Sequence, residues 1–130
     1  MNIDNVRERF RKDRFATGQT DIVIDDAGEN YSKCSFIIRD YHLNGIGKVM
    51  GGAIFTLADF AVAVAANGEN KTSVSLTVTI NYLGQPRGKK LIAETNLVKA
   101  GKNVSVFQVN ITDELGTAVA NACSNCFNII

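Results

Sequence analysis

Apolar positions near the start of the chain recur with the period of an α-helix. Ile3, Val6 and Phe10 lie three and four residues apart, so we expect an amphipathic N-terminal helix over residues 1–18, with Gly18 as its C-terminal stop. The remaining positions of this segment mix acidic and basic side chains. Such a mixture is typical of a face in contact with solvent.

A second helix is predicted over Gly51–Ala66, where apolar residues occupy almost every position. A helix without a polar face is buried on most of its sides. Asp59 is the exception, since an ionised carboxylate among apolar neighbours is costly unless it is paired, and burial raises its pKa. A structural aspartate, satisfied by a neighbouring strand or subunit, and a functional aspartate are equally compatible with this position.

The other apolar runs are rich in Val, Ile and Thr and predict strands. These runs are 20–25, 31–39, 72–83, 90–99, 103–112 and 118–128. A hairpin turn at 26–30 joins the first two. Short turns separate the last four, so we expect consecutive strands to be antiparallel neighbours. The predicted fold class is therefore α+β, a single domain (1-130) in which an antiparallel β-sheet wraps one long central helix.

The composition excludes several classes of protein. Fourteen Lys and Arg against thirteen Asp and Glu leave a net charge of +1, which argues against a nucleic-acid partner. No apolar run is long enough to span a membrane, and the charged N-terminal segment has no signal-peptide pattern, so we expect no membrane partner. An odd number of cysteines, three, favours reduced thiols. These features together predict a cytoplasmic protein.

Motifs for metal, phosphate or hydrolase chemistry are absent or incomplete. Cys123 and Cys126 are three apart in a predicted strand, so their sulfurs point to opposite faces and cannot hold one ion. The single histidine, His42, excludes any site that needs two. The glycines of 45–48 lack the spacing of a phosphate-binding loop, and no GxSxG motif occurs. We therefore expect no metal.

The start of the second helix is a candidate site for binding an oxygen atom. Gly51 and Gly52 remove side chains where open N–H groups and the positive end of the helix dipole can polarise a carbonyl. Eight residues of helix separate Gly51 from Asp59, which is about 12 Å. If both groups act on one substrate, they must come from two subunits, so the sequence favours an active site across a dimer interface.

The run His42–Asp59 resembles the signature H-x-N-x-x-G-x-x-H-G-G-x-x-x-x-L-x-D of hotdog-fold acyl-CoA thioesterases of the PaaI type, related to 4-hydroxybenzoyl-CoA thioesterase. The strand at 74–83 and the turn at 99–103 are also similar to that family. The resemblance implies a hotdog fold and hydrolysis of an acyl- or aryl-acyl-CoA to free acid and CoA. It implies no cofactor, since coenzyme A is part of the substrate, and a homodimer that pairs into a homotetramer.

The resemblance also implies roles for individual residues. Asp59 corresponds to the catalytic carboxylate, either general base or nucleophile, and the Gly51 N–H to the donor that binds the thioester oxygen. Asn44 and Ser75 correspond to residues that position the water. The residues implied to bind substrate or line the coenzyme A groove are Gly52, Tyr82, Arg87, Lys99, Gly101, Lys102 and Asn103. Asn44 is equally suited to a turn, and the lysines to any exposed hairpin tip.

The chain departs from the signature at Met50, where the family usually has histidine. That histidine is not normally the base, so hydrolysis remains the leading hypothesis. A hydratase is disfavoured because its D-x-x-x-x-H motif would need an acid at Ile37, five residues before His42. The alternative is a non-catalytic acyl-CoA-binding or regulatory hotdog protein, against which the retention of Asp59, Asn44 and Ser75 argues.

Overall fold

The computed structural model describes residues 2–68 and 71–129. Two α-helices and six strands form the framework, with a π-helical turn and a 3-10 turn between them. In chain order the elements are α1 (Ile3–Phe10), the π-helical turn (Phe15–Gln19), β1 (Val23–Gly28), β2 (Tyr31–Ile37), the 3-10 turn (Asp40–His42), α2 (Gly51–Ala66), β3 (Ser73–Tyr82), β4 (Lys90–Ala100), β5 (Val104–Asp113) and β6 (Ala118–Asn128).

The six strands form one antiparallel sheet in the order β1-β2-β4-β5-β6-β3, and α2 packs across one face of it. The largest fully buried side chains come from both layers and include Phe36, Leu57, Leu91, Phe107 and Ile111. Close packing of such side chains between a helix and a sheet is what buries the apolar face of each. The predicted α+β hotdog arrangement is confirmed.

The central helix has the predicted bounds, Gly51–Ala66. Most of its apolar side chains are buried against the sheet, as the sequence implied. One stripe of the helix remains uncovered, and Gly52 and Asp59 are exposed there, with Thr56 half-buried between them. Asp59 therefore lies on the surface of the single chain and not inside the apolar core.

The expectation of one N-terminal helix over residues 1–18 is wrong. The helix α1 begins after Asn2, whose Oδ1 accepts hydrogen bonds from Asp4 N and Asn5 N at 2.8 and 3.3 Å, and it ends at Phe10. A separate π-helical turn follows at Phe15–Gln19. The apolar stripe stops at Phe10 because the next positions on that face are charged, so nothing holds the chain on the same helical axis.

The predicted strands 72–83 and 90–99 were expected to be neighbours in the sheet, and this expectation is also wrong. The strand β3 pairs only with β6 at the edge of the sheet, whereas β4 lies between β2 and β5. The connection 83–89 crosses three strand spacings, about 14 Å. Seven residues can extend over about 23 Å, so a short loop does not require its strands to be neighbours.

The first hairpin is tighter than expected. β1 continues through the segment assigned to the turn, and Gly28 pairs with Tyr31, which leaves only Glu29 and Asn30 in the loop. Asn30 has a φ of 56°. Asn adopts such left-handed backbone more readily than most residues, so it suits this position of the turn.

Candidate active site

A closed loop carries the chain from the sheet to the start of α2. Leu43 and Val49 form an isolated bridge, and Met50 N donates to His42 O at 2.8 Å. Gln85, on the connection between β3 and β4, accepts a hydrogen bond from Val49 N at 3.0 Å. These contacts fix the direction in which α2 begins.

His42 supports this loop from inside. It is 2% exposed, and its ring stacks on Phe36 with the ring centroids 4.0 Å apart. Its Nδ1 accepts from Arg39 N at 2.9 Å, so Nε2 carries the proton and donates to Thr20 O at 2.8 Å. Both ring nitrogens are therefore engaged in structural hydrogen bonds.

The N-terminus of α2 is open. Met50 is the N-cap residue, in extended conformation, and no side chain of the described residues caps the helix. Within residues 2–68 and 71–129, the N–H groups of Gly51 and Gly52 donate to no protein acceptor. Helix N-termini of this kind present donors and positive potential to an approaching oxygen.

Two side chains border these open donors. The Tyr82 hydroxyl donates to Gly51 O at 3.0 Å, and a Cβ added to Gly51 would lie 3.3 Å from the Tyr82 ring. Met50 is 53% exposed, and its terminal methyl group lies 2.9 Å from where a Cβ of Gly52 would be. Glycine at 52 therefore lets the thioether of Met50 rest on the helix start, at the position where the family signature has histidine.

Asp59 lies two helical turns further on, in a cleft of about 310 Å³. The cleft is lined by Asp13, Arg14, Phe15, Ala16, Thr56, Asp59, Phe60 and Ala63. The pKa of Asp59 is raised above its usual value, mainly because its carboxyl is partly buried there. The negative charge of Asp13 is the second, smaller cause. A carboxylate with increased proton affinity is suited to accept a proton from water.

A larger cavity of about 700 Å³ joins this cleft to the start of the helix. Phe15 and Thr56 line both cavities, while Met50, Gly52 and Tyr41 line only the larger one. The exposed stripe of α2 therefore forms the floor of two adjoining cavities, and the π-helical turn forms one wall.

In the single chain, the side chain of Asn44 stabilises the loop before α2. Its Oδ1 accepts hydrogen bonds from Ile46 N at 3.0 Å and Lys48 N at 3.1 Å. These bonds make the turn that Asn residues commonly stabilise. Because Oδ1 is used in the turn, the predicted role of Asn44 in positioning water would need its amide nitrogen. That nitrogen donates to no acceptor among the described residues.

The other residues implied to bind substrate fall into two groups at opposite ends of the sheet. Tyr82, beside Gly51, and Arg87, in the loop that follows β3, lie at one end. Ser75 lies seven residues before Tyr82 on β3, so the two are roughly 23 Å apart. Ser75 is exposed and pairs with Cys126, and the same row of the sheet continues through Ser105 to Ala100.

The hairpin tip between β4 and β5 therefore lies at the Ser75 end. Lys99, Lys102 and Asn103 are exposed there. The fold requires glycine at position 101, because a Cβ there would lie 2.2 Å from the carbonyl oxygen of Val104. The single chain thus brings Gly51, Gly52, Tyr82 and Arg87 to one end and separates them from the lysine-bearing tip.

Sequence reasoning missed the residue that holds the Arg87 loop. Asp113, at the end of β5, is 2% exposed, and its carboxylate accepts hydrogen bonds from the backbone N–H groups of Arg87 (2.8 Å), Gly88 (2.9 Å), Leu115 (3.0 Å) and Thr117 (2.8 Å). The sequence signal for part of this role was the turn Asp-Glu-Leu-Gly at 113–116, because Asp commonly accepts hydrogen bonds from the backbone of its own turn. The contact with 87–88, just before the neighbouring strand β4, has no local signal.

The side chains that could ligate a metal are dispersed in the described part of the chain. No group of three or more His, Cys, Asp or Glu side chains within residues 2–68 and 71–129 is placed to hold a metal ion. Cys126 is buried with Ser124 on the core side, whereas Cys123 lies on the other face of β6, as the strand periodicity predicted. In the described part of the chain, no helix combines the length and apolarity needed to cross a membrane.

Comparison with known proteins identifies the superfamily of the chain. A family model described as the thioesterase superfamily matches residues 46–120, which include α2, β3, β4 and β5. The chain belongs to this superfamily and is a thioester hydrolase.

Individual relatives agree with this assignment. The acyl-coenzyme A thioesterase PaaI of Escherichia coli is 30% identical over 93 residues, covering 71% of this chain and 66% of that protein. A thioesterase structure from Haemophilus influenzae has a TM-score of 0.88 at 22% identity, covering 99% of this chain and 91% of the other, which shows the fold. A Streptococcus mutans protein bound to acetyl-CoA has a TM-score of 0.77 at 26% identity, covering 82% and 87% of the two chains.

Proposed function

We propose that this protein hydrolyses the thioester of an acyl- or aryl-acyl-CoA, with Asp59 as general base or nucleophile and Gly51 N–H as the donor to the thioester oxygen. The observation that carries the proposal is the exposed stripe of α2, which presents an open helix N-terminus and an exposed carboxylate in two adjoining cavities. The similarity to the E. coli acyl-CoA thioesterase and to a protein bound to acetyl-CoA supports this choice of substrate.

The reaction follows from what each group can do. The carbonyl oxygen of the thioester accepts a hydrogen bond from Gly51 N–H, where the helix dipole favours the negative charge that develops in the transition state. Asp59 removes a proton from water as the water attacks the carbonyl carbon. If Asp59 attacks directly, a short-lived anhydride forms and water hydrolyses it. The C–S bond breaks in either case, and the thiolate of coenzyme A leaves and takes up a proton.

The distance along α2 requires two subunits in this mechanism. Gly51 and Asp59 are separated by about 12 Å of helix, so they cannot contact the same carbonyl group from one chain. We therefore place Gly51 of one subunit opposite Asp59 of the other. A second subunit would also bring Tyr82 and Arg87 close to a lysine-bearing tip. The tip of one subunit can lie beside the Tyr82 end of the sheet in the other.

The two edges of the sheet differ in their suitability for pairing with a second subunit. The edge strand β3 runs for ten residues, Ser73–Tyr82, without a charged residue or a proline, and it exposes Val74 and Leu76. At the opposite edge, β1 carries two consecutive acidic residues, Asp25 and Asp26. Charges commonly protect edge strands from pairing, so β3 is the edge suited to a homodimer.

The role of Gly51 is tested by a matched pair of variants. Gly51→Pro removes the N–H but suits the first position of a helix, and the extended Met50 before it is compatible with proline. Gly51→Ala adds the same Cβ near Tyr82 and keeps the donor. We expect kcat to fall by about 10²–10³-fold in the proline variant. The alanine variant should retain most of its turnover.

A complementation experiment tests the shared site. Subunits with Gly51→Pro and subunits with Asp59→Asn are co-expressed with different affinity tags, and the mixed dimers are isolated. Each mixed dimer contains one site with both native groups, so it should recover about half of the wild-type turnover per dimer. Mixed dimers as inactive as their parents, or an active wild-type monomer in light scattering, would contradict the two-subunit mechanism.

The alternative, a non-catalytic acyl-CoA-binding protein, makes a different prediction for the wild type. Met50 in place of a polar residue beside the helix start is the observation that favours it. Release of free thiol from a panel of short, long and aromatic acyl-CoAs distinguishes the two functions. Binding of several acyl-CoAs without turnover of any of them would favour the alternative.

A further inference from the structure

The segment after α1 places a second carboxylate beside Asp59. Phe10 packs edge-on against Phe60 of α2, with the ring centroids 5.8 Å apart, and this contact fixes the end of α1 over the central helix. Asp13 follows three residues later and lines the same cleft as Asp59, the sequence neighbour of Phe60. The position of Asp13 is therefore determined by packing.

Backbone hydrogen bonds hold Asp13 in place independently of its side chain. Asp13 N donates to Phe10 O at 3.0 Å, and Asp13 O accepts from Thr17 N at 2.9 Å and from the Thr17 hydroxyl at 3.0 Å. Its carboxylate accepts no hydrogen bond from residues 2–68 or 71–129. A change from Asp to Asn at this position should therefore leave the turn intact.

Neither carboxylate forms an ion pair with a described residue. The ion pairs formed there, Arg7 with Asp4 and Arg11 with Glu8, involve other acids. Arg14 is the basic residue that lines the cleft, yet the charge that acts on the pKa of Asp59 is that of Asp13, which adds to the effect of burial. Burial also raises the pKa of Asp13.

We propose that Asp13 is a positioning residue of the active site, which holds a negative charge against Asp59 across the cleft and makes it a stronger base. This inference rests on the proposed function, because it concerns the group that activates water. Asp13 lies outside residues 46–120, the part matched by the family model, so the superfamily assignment does not include it. Two like charges in a partly desolvated cleft favour retention of a proton, which is how Asp13 acts on Asp59.

The direct test is the titration of Asp59, followed by carbon-13 NMR of the aspartate carboxyls in the wild-type protein and in Asp13→Asn. The Asp59 signal is assigned from Asp59→Asn. We expect its midpoint to move to lower pH by roughly 0.3–1 unit in Asp13→Asn. Asp13→Glu, which keeps the charge, should restore most of the shift, and Asp26→Asn, on β1 outside the cleft, should change nothing.

The pH dependence of kcat/KM provides the second readout. In Asp13→Asn, the acidic limb should move to lower pH by the same amount, and the plateau should fall by roughly two-fold because a weaker base transfers the proton less readily. An unchanged Asp59 midpoint in a folded Asp13→Asn protein would overturn the inference, even if Asp59→Asn is inactive. If Asp59→Asn is fully active, the proposed function fails, and the NMR shift still reports whether the two carboxylates interact.

Discussion

Asp59 and Asp113 are the same residue type in opposite environments. Asp113 is almost completely buried, yet four backbone N–H groups bond to its carboxylate. Burial alone would raise its pKa, but the bonds from Gly88, Thr117 and Arg87 outweigh that effect and hold the pKa of Asp113 well below its usual range. Asp59 is more exposed, receives no such bond from the described residues, and has a raised pKa.

The comparison shows that burial by itself does not identify a functional carboxylate. Asp113 uses all its acceptor capacity to join the 87–88 loop to the turn after β5, so it has none left for a substrate. Asp59 keeps its lone pairs available and holds its proton more tightly than usual. A group that lacks partners in a cleft is a better candidate for chemistry than one that is fully satisfied.

The largest expected effect is the loss of turnover in Asp59→Asn. The amide has nearly the same shape, but it can neither accept a proton from water nor attack the thioester, so kcat should fall by at least about 10²–10⁴-fold. Acyl-CoA binding and the melting temperature should be close to the wild-type values. Measuring kcat and thermal unfolding on one preparation separates this result from a structural role, which would lower stability and spare turnover.

Asp113→Asn should show the converse pattern. Replacing one carboxylate oxygen by an NH2 group leaves buried backbone N–H groups of the Arg87 loop or of the Thr117 turn without an acceptor. We expect the melting temperature to fall by roughly 10 °C, while turnover per folded chain changes much less. A variant that melts normally and is inactive would mean that Asp113, and not only Asp59, takes part in the chemistry.

The smallest expected effect is the pH dependence of stability, which should have opposite signs at the two positions. The lowered pKa of Asp113 means that its ionised form stabilises the folded state above pH 3.8, the ordinary value, and that this contribution is lost as the pH falls below it. The raised pKa of Asp59 means that its ionisation opposes folding as the pH rises above 3.8.

Thermal melts between pH 2.5 and 8 of the two Asn variants and the wild type test this difference. Asp59→Asn should melt about 1–2 °C above the wild type at neutral pH, and the two curves should converge in acid. The deficit of Asp113→Asn should shrink as the pH falls below 3.8. Parallel curves for the wild type and both variants would remove the electrostatic distinction between the two residues.

Much of the fold was predictable because its signals are local. The bounds of α2 and of β6 agree with the predicted runs, and those of β3, β4 and β5 agree within one residue at each end. The open start of α2 follows from two consecutive glycines, and the mid-helix Asp59 is conspicuous in an apolar run. The roles assigned to Asn44, Ser75 and the lysine-bearing tip remain predictions.

One error has a local cause and the other concerns distant parts of the chain. The charged positions after Phe10 end α1 early, and the stretch that follows becomes a wall of the Asp59 cleft. The loop 83–89 crosses the sheet because β3 pairs with β6, whereas β4 pairs with β2 and β5. The strand order, unlike the end of α1, does not depend on the spacing of apolar residues within one segment.

The sequence by itself therefore determined the type and length of most elements, since hydrophobic periodicity and turn residues act over a few positions. Tertiary structure decided the strand order, the burial and satisfaction of Asp113, and the approach of Asp13 to Asp59. Those features arise where residues far apart in the chain meet, and several pairings satisfy the same local pattern. Only the packing of α2 against the whole sheet selects one of them.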